Sequence, residues 1–189
     1  LLEDAMQSMN ITTLTKKDYE ADDILASLAD QASAAGFKVL VVSGDRDTFQ
    51  LISDDTTILY PIKGVMNLAR MDDSAVVERY GIHAKQYPDL AALVGETSDN
   101  LPGIPGVGPK TAAKWLQQHG DLKTILEHAA DVPGKVGESL REHSGLALRN
   151  RRLNHLIRDL DMGVAFESLR LTAVDESQVR EAFSKMHFK

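Results

Sequence analysis

GETSDNLPGIPGVGPKTAAKW, residues 95–115, joins an acidic loop to a glycine-rich turn. Its first half follows an apolar, helix-like run (Leu90 to Val94) and carries Glu96 and Asp99. Its second half places Gly106 and Gly108 one residue apart, then Pro109, Lys110 and a strong helix former. Two glycines permit a tight turn and let a foreign backbone approach closely. Proline suits a first helical position. The amides at such a helix start point outward with partial positive charge, which makes a phosphate site, and Lys110 adds a full charge. Carboxylates able to hold metal are thus joined to a turn able to hold a nucleic-acid backbone.

Two further acidic groups lie upstream. In KKDYEADDILASLADQASAAG, Ile24, Leu25, Leu28 and Ala32 recur at helical spacing and Gly36 stops the helix. Glu20, Asp22 and Asp23 crowd its first turn. Acids favour a helix N-terminus, but three within four residues exceed what capping requires. FKVLVV, Phe37 to Val42, reads as a buried parallel strand of an αβ repeat. It ends in SGDRD, at the carboxyl end of a strand, where open parallel sheets place their functional crevice. Extended backbone would aim Asp45 and Asp47, two residues apart, to one side.

The remaining segments supply scaffold. Residues 3–9 predict a helix end, Ile11 to Leu14 a short strand, and Thr48 to Ile52 a short helix. Thr57 to Tyr60 and Pro61 to Leu68, with Gly64, predict a hairpin. Asp72 and Asp73 start a helix that Gly81 ends, and those acids need no further role. His83 to Val94 predicts another helix. Helices are expected over 110–119, 121–129, 135–143 and 146–159, a strand-like piece from Ser168 to Thr172, and a closing helix. The basic run from Lys135 to Arg158 suits either a solvated helix face or a nucleic-acid surface. None of the six His has the HxxxH spacing of a metal site, and all read as structural or exposed.

Composition narrows the classes. There is no Cys, so no disulfide framework and no Cys-based zinc site. No apolar run approaches the roughly 20 residues of a membrane span. The net charge of -7 argues against a general polyanion binder. Seven of the 28 acids, however, fall in the three clusters, and cations neutralising those seven would bring the chain to neutrality. The chain begins Leu1-Leu2-Glu3 without a starting Met, which reads as a cut with sequence upstream.

If the fold brings the three clusters together, charges about 4 Å apart repel by about 4 kcal/mol at an effective dielectric of about 20. Only cations relieve such a set. All-oxygen donors favour hard ions, Mg²⁺ or Mn²⁺. Two such ions on a phosphodiester imply hydrolysis by activated water. Convergence itself is not legible from spacing.

YEADD (Tyr19 to Asp23), SGDRD (43–47), GETSDNLPG (95–103) and IPGVGPKTA (104–112) resemble, in order and spacing, the motifs of the flap endonuclease family. That family includes the 5′-nuclease domain of bacterial DNA polymerase I and stand-alone bacterial and phage 5′-nucleases. The resemblance extends from the first helix to Phe188. It implies an α/β fold: a mostly parallel central sheet with flanking helices, a PIN-like nuclease core, plus a helical helix–two-turn–helix DNA-binding subdomain. The corresponding division is residues 1–95 for the carboxy-terminal part of the core, 96–160 for the subdomain, and 161–189 for a tail packing back on the core. By the same resemblance Glu20, Asp22 and Asp23 hold a first metal group, Asp45 and Asp47 bridge towards a second, and Glu96 and Asp99 complete it. Asp22, Asp45, Asp47 and Asp99 are the catalytic set. Gly103, Gly106, Gly108, Lys110 and Thr111 belong to the turn that grips duplex backbone and can hold K⁺ on carbonyls. Glu96 stands where the pattern usually has Asp. The family's first strand, two further Asp ligands and the arch that threads a 5′ end are not in this sequence. The implied activity is a structure-specific, metal-dependent 5′–3′ exonuclease and flap endonuclease of replication and repair. Its expected substrates are 5′ flaps, nicks and duplex 5′ ends, and the enzyme is expected to be a cytoplasmic monomer. The rival reading is a non-catalytic helix-hairpin-helix DNA-binding module, which would not need seven carboxylates.

Overall fold

The computed structural model describes residues 2–186. Helix α1 (Leu2–Ser8) precedes α2 (Ala21–Ala34), and α2 feeds strand β1 (Val39–Val42) through Gly36. Gly36 has φ 85°, a conformation that favours glycine and ends the helix. β1 pairs in parallel with β2 (Thr56–Pro61), from Val39 opposite Thr56 to Val42 opposite Leu59. β2 turns back antiparallel into β3 (Leu68–Met71), giving the sheet order β1-β2-β3. The parallel pair lies where the αβ repeat predicts it.

β1 departs from the expectation of full burial. Val41 is 4% exposed, but Leu40 and Val42 are 56% and 62% exposed. The strand stands at the sheet edge, and only the face turned to the core is covered among the described residues. Two predicted strands do not form. Ile11 donates its N–H to the carbonyl of Met6 at 2.9 Å, turning the chain at the end of α1, and residues 11–14 form no strand. Phe166–Leu169 is a 3₁₀ turn, and the following residues find no neighbouring strand.

Phe49, on a 3₁₀ turn over Arg46–Leu51, centres the core. Its ring lies 5.5, 5.9 and 5.2 Å from those of Tyr60, Tyr80 and Tyr87, spacings that favour aromatic pairing. Tyr80 ends α3 (Asp73–Tyr80), which Asp72 caps by accepting the Ala75 N–H at 2.9 Å. Tyr87 begins α4 (Tyr87–Val94), whose Leu90, Ala91, Ala92 and Leu93 are all buried. Around α4 pack α5 (Pro109–His119), α6 (Leu122–Glu127) and α8 (Ser144–Leu153), and α7 (Gly134–Glu142) packs on α8. Trp115, Leu116, Ile125, Leu140 and Ala147 fill the space between them. Each large aliphatic buried this way contributes about 1.5–3 kcal/mol.

The helix predicted to run to residue 159 stops at Leu153, because side chains of the core claim the backbone that follows. Ser27 donates Oγ–H to the Ile157 carbonyl and accepts the Leu160 N–H, both at 3.1 Å. Gln31 donates to the Leu160 carbonyl at 2.8 Å and Gln50 to that of Asn154 at 2.9 Å. This seam fastens the helical half to the sheet half. Arginines of the basic run from Lys135 to Arg158 are tied into the fold, Arg158 across this seam and Arg141 and Arg151 within the helical half. Arg141 donates to the Ala129 carbonyl at 2.7 Å, Arg151 to Asp89 at 2.5 Å and Arg158 to Asp30 at 3.1 Å. These arginines brace the fold. Helix α9 (Glu176–Lys185) then returns against α1, and Phe166 packs on Phe37 with ring centroids 5.6 Å apart. The predicted closing helix includes residues 187–189, which lie outside the described residues. No helix among the described residues is long and apolar enough to cross a membrane.

Candidate metal centre and backbone-binding turn

Asp45 and Asp47 are placed by a cap, not by strand alternation. Beyond β1, Asp45 donates its N–H to Ser43 Oγ at 3.0 Å, and its Oδ1 accepts the Asp47 N–H at 2.9 Å. Asp45 is therefore the N-cap of the 3₁₀ turn whose Phe49 anchors the core. The rigid turn carries Asp47 inward.

Glu96 and Asp99 sit on a hairpin between β4 (Gly95–Glu96) and β5 (Leu101–Pro102). The Asp99 N–H reaches the Glu96 carbonyl and the Asn100 N–H that of Thr97, both at 3.3 Å. Asn100 takes φ 55°, a conformation Asn tolerates better than most residues. Both ends of the hairpin require glycine. A Cβ on Gly103 would lie 1.9 Å from the Val94 carbonyl oxygen, and one on Gly95 would lie 2.3 Å from the Gly103 nitrogen. Gly103, expected at the DNA, thus has a packing reason of its own. Asn150, fully buried on α8, donates Nδ2–H to the carbonyls of Ala92 at 3.3 Å and Pro102 at 2.8 Å. It fixes α4 and the hairpin with one side chain. Nothing in the sequence singled it out, since it lies in a run read only for its charge.

The third group opens α2. Here capping takes more than was expected of it. Asp23 accepts the Glu20 N–H at 3.4 Å through Oδ2 and the Ile157 N–H at 2.9 Å through Oδ1. It holds both the helix start and the seam. Asp22 faces Asp45: burial first, then the charges of Asp45, Glu20 and Asp23, hold its carboxyl above the ordinary range.

The carboxylates converge. Asp47, Glu96 and Asp99 offer oxygens within 4.8 Å of one another. Burial, then the charge of Glu96, pushes the Asp47 carboxyl up to about 8. Glu96 is raised as well, by burial and then by Asp99. Through Asp45, which acts on Asp22, Asp47 and Glu96, the three groups form one continuous negative field. The extra methylene of Glu96 does not take it out of the cluster. Asp47 Oδ1 and Glu96 Oε2 are buried and accept no hydrogen bond, and a buried acceptor without a partner is costly. Orphaned, all-oxygen donors in a like-charged cluster fit a hard divalent cation.

The turn is built differently. Buried Ile104 and Val107 seat it. Gly106 has φ 81°, while Gly108 has φ −100° and open space where a Cβ would stand. The conformational need for glycine falls on Gly106. At Gly108, the N-cap of α5, no side chain caps the helix and Pro109 follows at its first position. Lys110 is exposed and Thr111 half-buried beside it. Arg46, quoted within SGDRD but given no role, lines a hollow with Tyr80, Tyr87 and Glu96 beside the acidic centre.

Residues 1–81 match the family model of the 5′–3′ exonuclease N-terminal resolvase-like domain, and residues 82–177 that of the 5′–3′ exonuclease C-terminal SAM fold. Over 189 residues the chain is 47% identical to DNA polymerase I of Mycobacterium tuberculosis, covering all of this chain and 21% of the relative. It is 35% identical over 188 residues to DNA polymerase I of Bacillus subtilis, covering 99% and 21%. It thus spans about a fifth of the length of these relatives. Among solved structures, it is similar in fold to the T5 5′-exonuclease with bound zinc ions, at TM-score 0.69 and 21% identity over 91% of this chain and 62% of that one. It is likewise similar to the catalytic core of Rad2 in complex with DNA substrate, at TM-score 0.63 and 16% identity over 97% and 62%. With both family models matched in order across the acidic centre and the turn, the chain belongs to the 5′–3′ exonuclease family.

Proposed function

We propose that the protein hydrolyses DNA phosphodiesters at 5′ ends and 5′ flaps during replication and repair, as a 5′–3′ exonuclease and flap endonuclease. The observation that carries this is the meeting of Asp47, from the turn after β1, with Glu96 and Asp99, from the hairpin, with two buried oxygens left without donors and Asp22 of α2 in the field of Asp45. A pure binding module has no use for that arrangement. In this reading Asp45, Asp47, Glu96 and Asp99 hold one Mg²⁺ or Mn²⁺, and Glu20 and Asp22 hold another with help from Asp45. Asp23 contributes mainly by fixing the start of α2. Bound divalent ions would supply Lewis acidity at the scissile phosphate and acidify an attacking water. No side chain acts as covalent nucleophile. The turn from Gly106 to Thr111 grips duplex backbone through uncapped amides and Lys110, with K⁺ on its carbonyls. The similar structures, one with zinc ions bound and the other in complex with DNA substrate, support both halves. The protein acts as a cytoplasmic monomer.

Calorimetric titration of the full-length protein with Mn²⁺ tests the centre. Asp45→Asn should weaken binding at least about tenfold, since it removes a charge shared by both groups. Equal binding by parent and variant would refute the assignment.

A further inference from the structure

The surface between the acidic centre and the α5 turn is hollowed twice. One hollow, about 330 Å³, has Arg46, Tyr87, Glu96 and Ser98 on its walls. The next, about 450 Å³, has Arg79, Lys110, Lys114 and Gln117. They share Tyr80, Leu90 and Pro109 as walls, so they run together as one trough. Charge reverses along it, from Glu96 at the inner end to Arg46, Arg79, Lys110 and Lys114 beyond. The Arg79 guanidinium lies over the rings of Tyr60 and Tyr80, at 5.8 and 5.6 Å from their centroids. The ion pairs of the described residues use neither Arg79, Lys110 nor Lys114. Elsewhere in the chain arginines are spent on the fold, as with Arg151 on Asp89 and Arg158 on Asp30.

A guanidinium stacked on two rings is held in a narrow range of orientations, with its donors free. Such a group loses little freedom on accepting a phosphate. We propose that the trough takes the sugar–phosphate backbone of one DNA strand between the scissile phosphate and the phosphate held at the start of α5. Arg79 binds an intervening phosphate, and Tyr60 and Tyr80 position it. This inference rests on the DNA-hydrolysis reading and adds a phosphate contact, at Arg79, that belongs to neither the acidic centre nor the turn. The occupant follows from the charge sequence, since a polyanion leaving a cation-filled centre meets basic groups from there on.

The test uses the full-length protein in an Asp47→Asn background, which blocks cleavage, with a 5′-overhang duplex and binding isotherms over a salt series. Arg79→Ala should lower the slope of log affinity against log salt by about one unit, with affinity down about tenfold near 0.1 M salt. Arg79→Lys should keep the slope and lose part of the affinity, because it keeps the charge without the fork. Mn²⁺ binding should be unchanged in both. A single neutral methylphosphonate moved along the strand should reach one position that weakens the Arg79-containing protein and leaves the Arg79→Ala protein no weaker. Unchanged slope and affinity in Arg79→Ala would overturn the proposal, as would methylphosphonates that act alike on both proteins everywhere. Lys110→Ala is measured in parallel. A response from Lys110→Ala alone overturns the trough and spares the DNA reading, whereas failure of the background protein to bind DNA overturns both.

Discussion

The acidic hairpin and the glycine turn are neighbours in sequence and opposites in construction. The hairpin crowds Glu96 and Asp99 against Asp47, with carboxylate oxygens within 4.8 Å and two buried oxygens unpartnered. It is unfavourable by itself and is kept in place by stronger packing around it: Asn150, the glycine contacts at 95 and 103, and Phe49 beneath Asp47. The turn carries no charge until Lys110 and rests on buried Ile104 and Val107. It is favourable by itself and presents backbone. A region that is strained alone yet held rigid indicates a ligand of opposite charge. A region that is content alone indicates recognition by shape. Four measurements test that contrast.

The largest effect should be on chemistry. In the full-length protein, Asp47→Asn should lower single-turnover cleavage of a 5′-flap substrate by at least about 10²-fold, as removal of one preorganised electrostatic group does. Duplex affinity should stay within about twofold. Parental cleavage by the variant would end the catalytic reading of the hairpin.

Next comes stability against pH. The Asp47 carboxyl titrates at about 8 in the fold against 3.8 for the free side chain. Between those values the unfolded chain releases a proton that the fold retains. The stabilisation linked to this group is therefore complete below about pH 4 and is lost as pH rises to about 8. Glu96, raised in the same direction, steepens the loss. Melting temperatures of the metal-free protein should fall across that window, and Mn²⁺ should raise them more at pH 8 than at pH 5. Asp47→Asn should flatten the curve. A flat curve in the parent would show that neither burial nor neighbouring charge raises these carboxyls in the fold.

The turn should answer to backbone geometry. Gly106→Ala forces a side chain onto φ 81° and should cost roughly 1 kcal/mol in urea unfolding. Gly108→Ala, at φ −100° with no neighbour to meet, should change stability by less than about 0.5 kcal/mol. Equal costs would contradict the assignment of strain to Gly106. The smallest effect is that of Lys110→Ala, which should reduce the salt slope of duplex binding by about one unit, leaving melting temperature and Mn²⁺ affinity alone. An unchanged slope would remove Lys110 from the DNA.

Part of this protein was legible residue by residue. Asp72 marked a helix start, Gly36 and Gly81 marked helix stops, and Pro109 after Gly108 marked α5. Each acts within one turn of its own position, so each can be read without knowing the fold. The acids at 20–23, 45–47 and 96–99 were visible for the same reason. Where sequence reading failed, a distant partner decided. The helix predicted to 159 stops at 153 because Ser27, Gln31 and Gln50 take the backbone after it. Asp23 is committed to the Ile157 N–H, a contact across 134 residues. β1 packs on one face because no element of the described residues covers the face of Leu40 and Val42, which its aliphatic run could not show.

By itself, then, the sequence determined most helix starts and stops, the acidic groups and the glycine turn, because capping, helical period and turn geometry are short-range. Only the tertiary structure decided that Asp47 meets Glu96 and Asp99 with Asp45 tying them to Asp22, that Gly103 is a packing glycine and Gly106 the strained one, and that Asn150 holds the hairpin. Those outcomes depend on closing loops of tens of residues around Phe49 and α4. The free energy of that closure comes from apolar burial that no single stretch contains.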